Sequence, residues 1–255
     1  LVFFGLFQGH LQAFFMSLFF LIAGYFVPGA LQRKGPRAFA VDRLKRLGIP
    51  LLVFIFLIHP VTVRLIHPEL NLASYWLSGF TRFEFLEWTG PLWFAEALLV
   101  FSLACIPFAS RLTVSDKPPA APLTAGPLLL LVGAITAGAF VLRYFAPIGT
   151  AFFNLQFCYF SAYVASFLVG LAAGRTRGFE RVPASSAKHW LIAAFAIGLP
   201  LWFLAILAGG AASGSLNING GFNWGTLLFA LWESFFCVAI LVALLGLARA
   251  HFDFQ

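Results

Sequence analysis

Apolar stretches long enough to cross a membrane recur along the chain of 255 residues. A helix that crosses the hydrocarbon core needs roughly 20 mostly apolar residues. The pattern predicts seven such helices, over residues of about 12–31, 47–66, 91–109, 127–146, 155–173, 190–208 and 225–247. The runs are apolar on every side, whereas transmembrane strands alternate over about ten residues. The sequence therefore predicts an all-α, polytopic transmembrane helix bundle.

The composition agrees with a lipid environment. Hydrophobic residues make up 61% of the chain and charged residues only 10%, whereas soluble domains carry about 25% charged residues. A net charge of +7 would suggest nucleic acid as the partner of a soluble protein. Here the charges lie in short connections between apolar runs, so we expect contact with membrane lipids and no nucleic-acid partner. Cys105, Cys158 and Cys237 lie in apolar segments without paired spacing, which indicates packing rather than a disulfide or a metal site.

The basic residues predict an orientation. If the connection over residues 33–46 faces the cytoplasm and the helices alternate, thirteen of the sixteen Lys and Arg residues fall inside: Arg33, Lys34, Arg37, Arg43, Lys45, Arg46, Arg111, Lys117, Arg175, Arg177, Arg181, Lys188 and Arg249. Only Arg64, Arg82 and Arg143 fall near the outer face, in accord with the positive-inside rule. We therefore expect the N-terminus of this chain outside and its C-terminus inside.

Two outer connections are long. Residues 67–90 include Trp76, Glu84, Glu87 and Trp88, which is typical of an interfacial segment across the helix ends. Residues 209–224 are rich in Gly, Ser and Asn and carry no charge, which predicts a flexible loop. The chain starts inside an apolar run and stops just past another, so we expect it to be part of a longer protein.

Arg43 and Arg46 are spaced i, i+3, which places them on one face of a helix. If the membrane helix starts at Leu47, its free N–H groups would also favour an anion there, and Pro50 would sit harmlessly in the first turn. On residue chemistry alone, a topology signal or an anchor for lipid phosphates is the favoured interpretation. A binding site for a phosphorylated ligand is the alternative.

Charged residues lie within several of the predicted helices, where burial of a charge costs a few kcal/mol. Glu96, Arg143 and Glu233 all fall in the outer half of the bilayer. Arg143 could form an ion pair with one carboxylate, or the three could line a substrate pocket. Trp93 could be a stacking wall for a sugar, although a membrane-belt aromatic is the simpler interpretation. His10, at the outer end of the first helix, fits a hydrogen-bonded interfacial residue.

Several motifs resemble those of the acyltransferase family 3 membrane proteins, in the branch related to glucan-modifying acyltransferases. The strongest likeness lies in residues 13–52, with "FFMSLFFLIAGYF" and "DRLKRLGIPLLV", and in residues 90–101, with "GPLWFAEALLVF". The family's Arg-x-x-Arg and Arg-Leu-x-x-Pro patterns match Arg43 to Pro50. A later pattern is echoed from Cys158 through Phe167 and Gly170.

The resemblance implies a membrane acyltransferase that moves an acetyl- or succinyl-type group from acyl-CoA to a hydroxyl of a carbohydrate acceptor. It further implies a bacterial cytoplasmic membrane location and about ten helices in the intact protein, with residues 1–255 as one domain that is partial at both ends. The residues expected to bind the donor phosphates are Arg43, Arg46, Arg37 and Lys34. Those expected to bind the acceptor are Glu96, Trp93, Arg143 and Glu233.

Two departures from the family pattern matter. Ala23 replaces the usual Ser before Gly24-Tyr25, and the catalytic His of the family is expected upstream of residue 1. We expect no permanently bound cofactor and no metal. A non-enzymatic carrier of a sugar or lipid-linked intermediate is the alternative, because polar residues within helices also suit a transporter. The lack of visible repeats and of helices broken at matching positions speaks against it.

Overall fold

Helices make up most of the chain in the computed structural model, which describes residues 2–115, 124–183 and 185–251. The helices are α1 Val2–Lys34, α2 Pro36–Ile66, α3 Leu72–Thr81, α4 Trp93–Ala104, α5 Ala125–Phe145, α6 Phe160–Thr176, α7 Ser186–Ala196, α8 Gly198–Ala208 and α9 Trp224–His251. Apart from one bridge between Phe152 and Leu155, the described residues form no strand. The predicted all-α membrane bundle is confirmed.

Six helical segments are long and apolar enough to cross a membrane: Phe7–Lys34, Pro36–Ile66, Ala125–Phe145, Phe157–Thr176, Ser186–Ala208 and Trp224–His251. They correspond to six of the seven predicted spans. The seventh, predicted over 91–109, is shorter because α4 ends at Ala104 and the chain continues as the 3₁₀ turn Ile106–Arg111. Pro107 lies in that turn, and proline cannot continue the hydrogen-bonded ladder of an α-helix.

The basic segment over residues 33–46 is helical, so its interpretation as a loop was wrong. α1 ends at Lys34 and α2 begins at Pro36, and the only residue between them is Gly35. Gly35 has φ of 75°, a left-handed conformation that glycine adopts without a steric penalty. Pro36 then supplies a φ suited to the first position of a helix. One residue is therefore enough to separate two long helices.

α2 contains two wide, π-helical turns, at Leu44–Gly48 and Phe54–Ile58. Each turn ends two residues before a proline, Pro50 in the first case and Pro60 in the second. Proline lacks an N–H, and its ring would clash with the carbonyl four residues earlier. A widened turn just before it makes room for the ring. Pro50 thus lies well inside α2, and its predicted place in the first turn was wrong.

The described chain divides into two units, and unit 1 comprises Leu1–Gly29, Val114–Thr150 and Phe157–Gln255. Its core is built on α9, which contacts α5, α7 and α8. Trp232, Phe236 and Ala239 are among the many buried residues of α9. A helix that is apolar on all sides is stable only when it is surrounded, which explains the central position of α9 in this unit.

Glycines bring α1 and α6 into backbone contact within unit 1. A Cβ atom on Gly24 would overlap the carbonyl oxygen of Phe167, and one on Gly170 would overlap the carbonyl oxygen of Leu21. Small residues allow membrane helices to approach this closely. Gly24 and Gly170 belong to the two motifs that carried the family resemblance, so the structure assigns both motifs a role in packing.

Unit 2 comprises Ala30–Thr113 and Ala151–Gln156. Its core contains Leu51, Ile55 and Trp88, and Trp88 is only 5% exposed. α3 is capped by Asn71, whose Oδ1 accepts hydrogen bonds from two N–H groups of the first turn at 3.0 and 3.2 Å, as an N-cap residue should. The predicted interfacial segment over 67–90 therefore includes a helix, and it places Trp88 in the core.

The loop over residues 209–224 forms backbone hydrogen bonds within its own unit, and its flexibility stays a prediction. The N–H of Asn217 donates to the carbonyl of Gly209 at 2.7 Å, and the N–H of Ile148 donates to the carbonyl of Asn219 at 2.8 Å. Ile218 is buried. Gly220 allows a close backbone approach, because a Cβ atom there would press against the end of α5.

Candidate functional site

An open groove lies within unit 2, where α2 begins. Its volume is about 580 Å³, and it is lined by Lys34, Gly35, Pro36, Arg37, Ala38, Val41, Asp42 and Lys45. Three of these residues are cationic and one is acidic. The first N–H groups of α2 have no acceptor within the helix, and Gly35 at the cap position has no side chain to accept from them. A groove that combines ammonium and guanidinium groups with a helix start suits an anion.

We call this cavity the donor groove. Asp42, which lines it, forms ion pairs with two cations. Its carboxylate contacts Lys34 Nζ at 2.9 Å and Arg46 Nε at 2.9 Å. Arg46 remains 70% exposed. Exposed pairs of this kind contribute about 0–1 kcal/mol, so Asp42 contacts both side chains while they stay available to solvent.

Arg43 takes a different position from Arg46. Its guanidinium stacks over the buried ring of Phe39 at 5.0 Å, and its Nε is buried without a hydrogen-bond partner among the described residues. Arg46 instead reaches back to Asp42. The two arginines were expected to act on one face, but each interacts with the residue four positions earlier, and neither lines the donor groove.

The helix start expected at Leu47 is therefore in the wrong place, because α2 already runs through that residue. The free N–H groups belong to the turn that begins at Pro36. Of the predicted donor residues, the structure brings Lys34 and Arg37 into the groove, and it adds Lys45, which sequence reasoning did not select. Lys45 could have been selected from the sequence only if α2 had been predicted to begin at Pro36.

A buried ion pair lies in unit 1, between Arg143 near the end of α5 and Glu233 on α9. Arg143 Nη2 contacts Glu233 Oε2. The Arg143 side chain is fully buried and that of Glu233 is 13% exposed. The sequence left an ion pair and a substrate pocket as alternatives for these residues. The structure contains the ion pair, and a role in acceptor binding stays a prediction.

The surroundings of Arg143 are aromatic. Its guanidinium lies over the rings of Tyr159 at 5.9 Å and Phe229 at 5.5 Å, within the range of cation–π attraction. Its Nε and Nη1 atoms are buried without hydrogen-bond partners among the described residues. A cavity of about 20 Å³ lies beside Glu233, lined also by Gln12 and Tyr163. That volume suffices for one water molecule but not for a sugar ring.

Glu96 belongs to a polar cluster in unit 2. Asn154 Nδ2 donates to Thr89 Oγ1 at 2.9 Å and to the carbonyl of Gly90 at 2.8 Å. The side chain of Thr89 is hydrogen-bonded with Glu96, while Glu96 Oε2 is buried without a partner among the described residues. Trp93 is partly exposed one turn earlier on the same helix. A carboxylate oxygen in this state can accept a hydrogen bond from a ligand hydroxyl.

Thr89 and Asn154 were not selected from the sequence. Asn154 lies far along the chain from Thr89, in a short segment with φ of 58°, a conformation that asparagine tolerates better than most residues. Neither spacing nor periodicity joins this segment to α4. Only the tertiary fold of unit 2 shows that the amide holds the Thr89–Gly90 turn.

His59, on α2 in unit 2, lies among aromatic side chains. Its Nε2 is 3.0 Å from Tyr75 Oη, and both rings stack on Trp88, at centroid distances of 5.2 and 4.8 Å. His10, in unit 1, packs edge-on against Trp232 at 4.9 Å and Phe236 at 5.0 Å. The structure therefore places both histidines among aromatic side chains.

Within the described residues, no three His, Cys, Asp or Glu side chains lie close enough together to hold a metal ion. Cys105, Cys158 and Cys237 are free and buried, which fits their predicted packing role. The chemistry of these sites rests on cationic side chains, carboxylates and hydroxyl groups.

Comparison with protein families decides the class of the protein. The model of the acyltransferase domain of acyltransferase family 3 matches residues 2–253. The chain belongs to this family. The match confirms the resemblance found in the sequence, and it identifies the protein as a membrane acyltransferase. Neither the curated proteins nor the solved structures give a significant match. Membership of the glucan-modifying branch stays a prediction.

Proposed function

We propose that this family member transfers an acyl group of the acetyl or succinyl type from acyl-CoA to a hydroxyl group of a carbohydrate acceptor. The acceptor oxygen attacks the thioester carbonyl, the C–S bond breaks, and the proton of the hydroxyl passes to the coenzyme A thiol. The products are an acyl ester and free coenzyme A. The observation that carries the choice of donor is the donor groove, whose cations surround an open space at the start of α2.

The donor phosphates would bind along this groove. Lys34, Arg37 and Lys45 line it, and Arg46 lies beside it on the other side of Asp42. Arg43, whose guanidinium is oriented by the Phe39 ring, would act from outside the groove. Charge-assisted hydrogen bonds to phosphate are roughly twice as strong as neutral ones. The groove lies at the end of α2 that the basic residues predict to be cytoplasmic, where acyl-CoA is available.

The acceptor would bind at the polar cluster of unit 2. Glu96 Oε2 can accept a hydrogen bond from a sugar hydroxyl, while Thr89 and Asn154 fix the turn beside it. Trp93 would pack against the sugar ring, since an aromatic face suits the C–H groups of a carbohydrate. Arg143 and Glu233, which the sequence predicts to bind the acceptor, leave only a water-sized space beside Glu233 in unit 1.

Equilibrium binding of radiolabelled acetyl-CoA and succinyl-CoA to the full-length protein in nanodiscs tests the donor assignment. We expect Arg37→Gln combined with Lys45→Gln to weaken binding about tenfold or more, because each charged hydrogen bond contributes about 1.5–3 kcal/mol. Arg43→Ala combined with Arg46→Ala should lower the transfer rate while leaving membrane insertion intact.

Arg64→Gln is the matched control, since Arg64 is an exposed arginine at the opposite end of α2. Its acyl-CoA affinity should stay within about twofold of the wild type, as expected for an exposed charge outside the site. Unchanged affinity in the Arg37/Lys45 double variant would contradict the donor groove. A wild-type protein that binds no acyl-CoA would instead favour the carrier hypothesis.

A further inference from the structure

A second cavity, of about 170 Å³, lies within unit 1 among α5, α6 and α9. Most of its walls are aliphatic, and they include Leu128, Leu131, Val169, Leu241, Val242 and Leu245. An engineered apolar cavity of about 150 Å³ stays dry and binds benzene. The space in unit 1 is therefore large enough for hydrocarbon and unattractive for water.

The cavity is half-open, and its rim lies on α6. Val169, Ala172 and Thr176 line the cavity and are also exposed on the surface of the chain. They lie in the segment Phe157–Thr176, which is long and apolar enough to cross a membrane. Exposed Val164 and Leu168 continue the same apolar surface. An opening on such a surface faces lipid tails, so its occupant would enter from the bilayer rather than from water.

One end of the cavity is cationic. Arg181 lines it, together with Gly178 and Phe179, just past the end of α6. Arg175 and Arg177 lie at the same end of α6, and the acid between them and Arg181, Glu180, is paired with Arg177 at 2.6 Å. The excess of positive charge at this end favours an anionic group in front of the apolar space.

The turn that carries Arg181 is held by a residue from α9. Arg249 Nη1 donates to the carbonyl oxygens of Glu180 and Val182, the latter at 2.9 Å. Arg181 lies between these two residues in the chain. The turn that carries Arg181 is thus attached to α9, which also lines the cavity. These hydrogen bonds fix the cationic end of the cavity relative to its apolar walls.

We propose that this cavity binds part of one acyl tail of an anionic phospholipid, with the lipid phosphate at Arg181. The lateral opening, the aliphatic walls and the cation at one end match the three parts of such a lipid: its approach from the bilayer, its tail and its headgroup. The positive-inside rule places the Arg181 end at the cytoplasmic leaflet, where anionic lipids interact with basic residues. The site is separate from the donor groove and does not depend on acyl-CoA binding.

Native mass spectrometry of the full-length protein in mild detergent, titrated with phosphatidylglycerol and with phosphatidylcholine, tests this site. We expect one phosphatidylglycerol to bind before any other lipid. Ala172→Phe, which places a ring in the opening, should weaken that first binding at least about fivefold, whereas Leu168→Phe should not, because Leu168 is exposed on the same helix without lining the cavity. Arg181→Gln should remove the preference for phosphatidylglycerol, while Arg175→Gln should retain it.

Each result bears on the proposal. Equal first binding in wild type and Ala172→Phe, with a wild-type melting temperature in both, would overturn the tail site. Equal binding of the two lipids to the wild type would overturn the headgroup assignment. Displacement of bound lipid by stoichiometric acetyl-CoA would assign the cavity to the donor instead and would also overturn the proposal. Loss of acyl-CoA binding in Arg37→Gln/Lys45→Gln with lipid binding retained would support two independent sites.

Discussion

Two arginine–carboxylate pairs in this protein have the same chemistry and opposite surroundings. Arg46 pairs with Asp42 at the donor groove and is 70% exposed, whereas Arg143 pairs with Glu233 in unit 1 and is fully buried. The exposed pair gains little, because water and salt screen it. The buried pair gives up hydration that the attraction only partly returns. The first pair can therefore separate at little cost, and the second is a constraint on the fold.

Removal of one partner of the buried pair should have the largest effect on stability. Glu233→Ala leaves the Arg143 guanidinium buried without its counter-charge, which costs about 3–5 kcal/mol. We expect a clear loss of stability in chemical denaturation of the protein in detergent micelles. Arg143→Met combined with Glu233→Leu should recover most of this loss, because an apolar pair of similar volume needs no hydration.

If Glu233→Ala unfolded at the same denaturant concentration as the wild type, the pair would not constrain the fold. A double variant as unstable as Glu233→Ala would show that the aromatic surroundings of Arg143, rather than the charge pair, determine stability. These two outcomes separate the electrostatic contribution from the packing contribution at one position.

The α1–α6 contact offers a second test, of packing instead of charge. Gly170→Val should destabilise the protein by about 1–3 kcal/mol, because its Cβ would overlap the Leu21 carbonyl and the helices must move apart. Gly133→Val is the matched control, since a Cβ there meets no atom within 4 Å. Thermal unfolding of both variants in the same detergent measures the difference. Equal unfolding temperatures would contradict the close contact.

Change at the exposed pair should have the smallest effect on stability and a measurable effect on binding. Asp42→Asn should alter the free energy of unfolding by less than about 1 kcal/mol. It should also raise the affinity for acyl-CoA, because Lys34 and Arg46 lose their competing carboxylate. The gain should be greater in 20 mM salt than in 200 mM salt, at which screening is stronger. Weaker binding in Asp42→Asn would mean that Asp42 positions the cations rather than competing for them.

Much of the fold follows from the sequence, because apolar length alone fixes where helices can cross a bilayer. The ends of the helices were harder to predict. The basic residues of 33–46 indicate a loop, because charges do not enter lipid. Charged residues nevertheless form good helices outside lipid. Only Gly35 interrupts the helical structure of this segment. This error moved the predicted anion-binding helix start from Pro36 to Leu47.

Some residues of the candidate sites can be selected from the sequence, and others only from the fold. Lys34 and Arg37 could be selected because they directly follow the first apolar run of the sequence. The exposed pair of Asp42 and Arg46 is visible as an i, i+4 spacing. Arg143 and Glu233 were selected by their intramembrane charge, but their pairing depends on how α5 packs against α9. Asn154 could not be found at all, because its contact with Thr89 arises only when distant segments meet.

The two wide turns of α2 have a consequence for how this helix tolerates change in length. Each holds one residue more than an α-helical turn would, so deletion of a single residue from Leu44–Gly48 could restore a regular helix without breaking it. Because a wide turn spreads its extra residue over nearly the same rotation about the helix axis, the side chains beyond the deletion would keep nearly their present directions. His59 would stay beside Tyr75. The wide turns thus absorb a one-residue difference in length locally, and relatives that lack one residue here would present nearly the same surface beyond the turn.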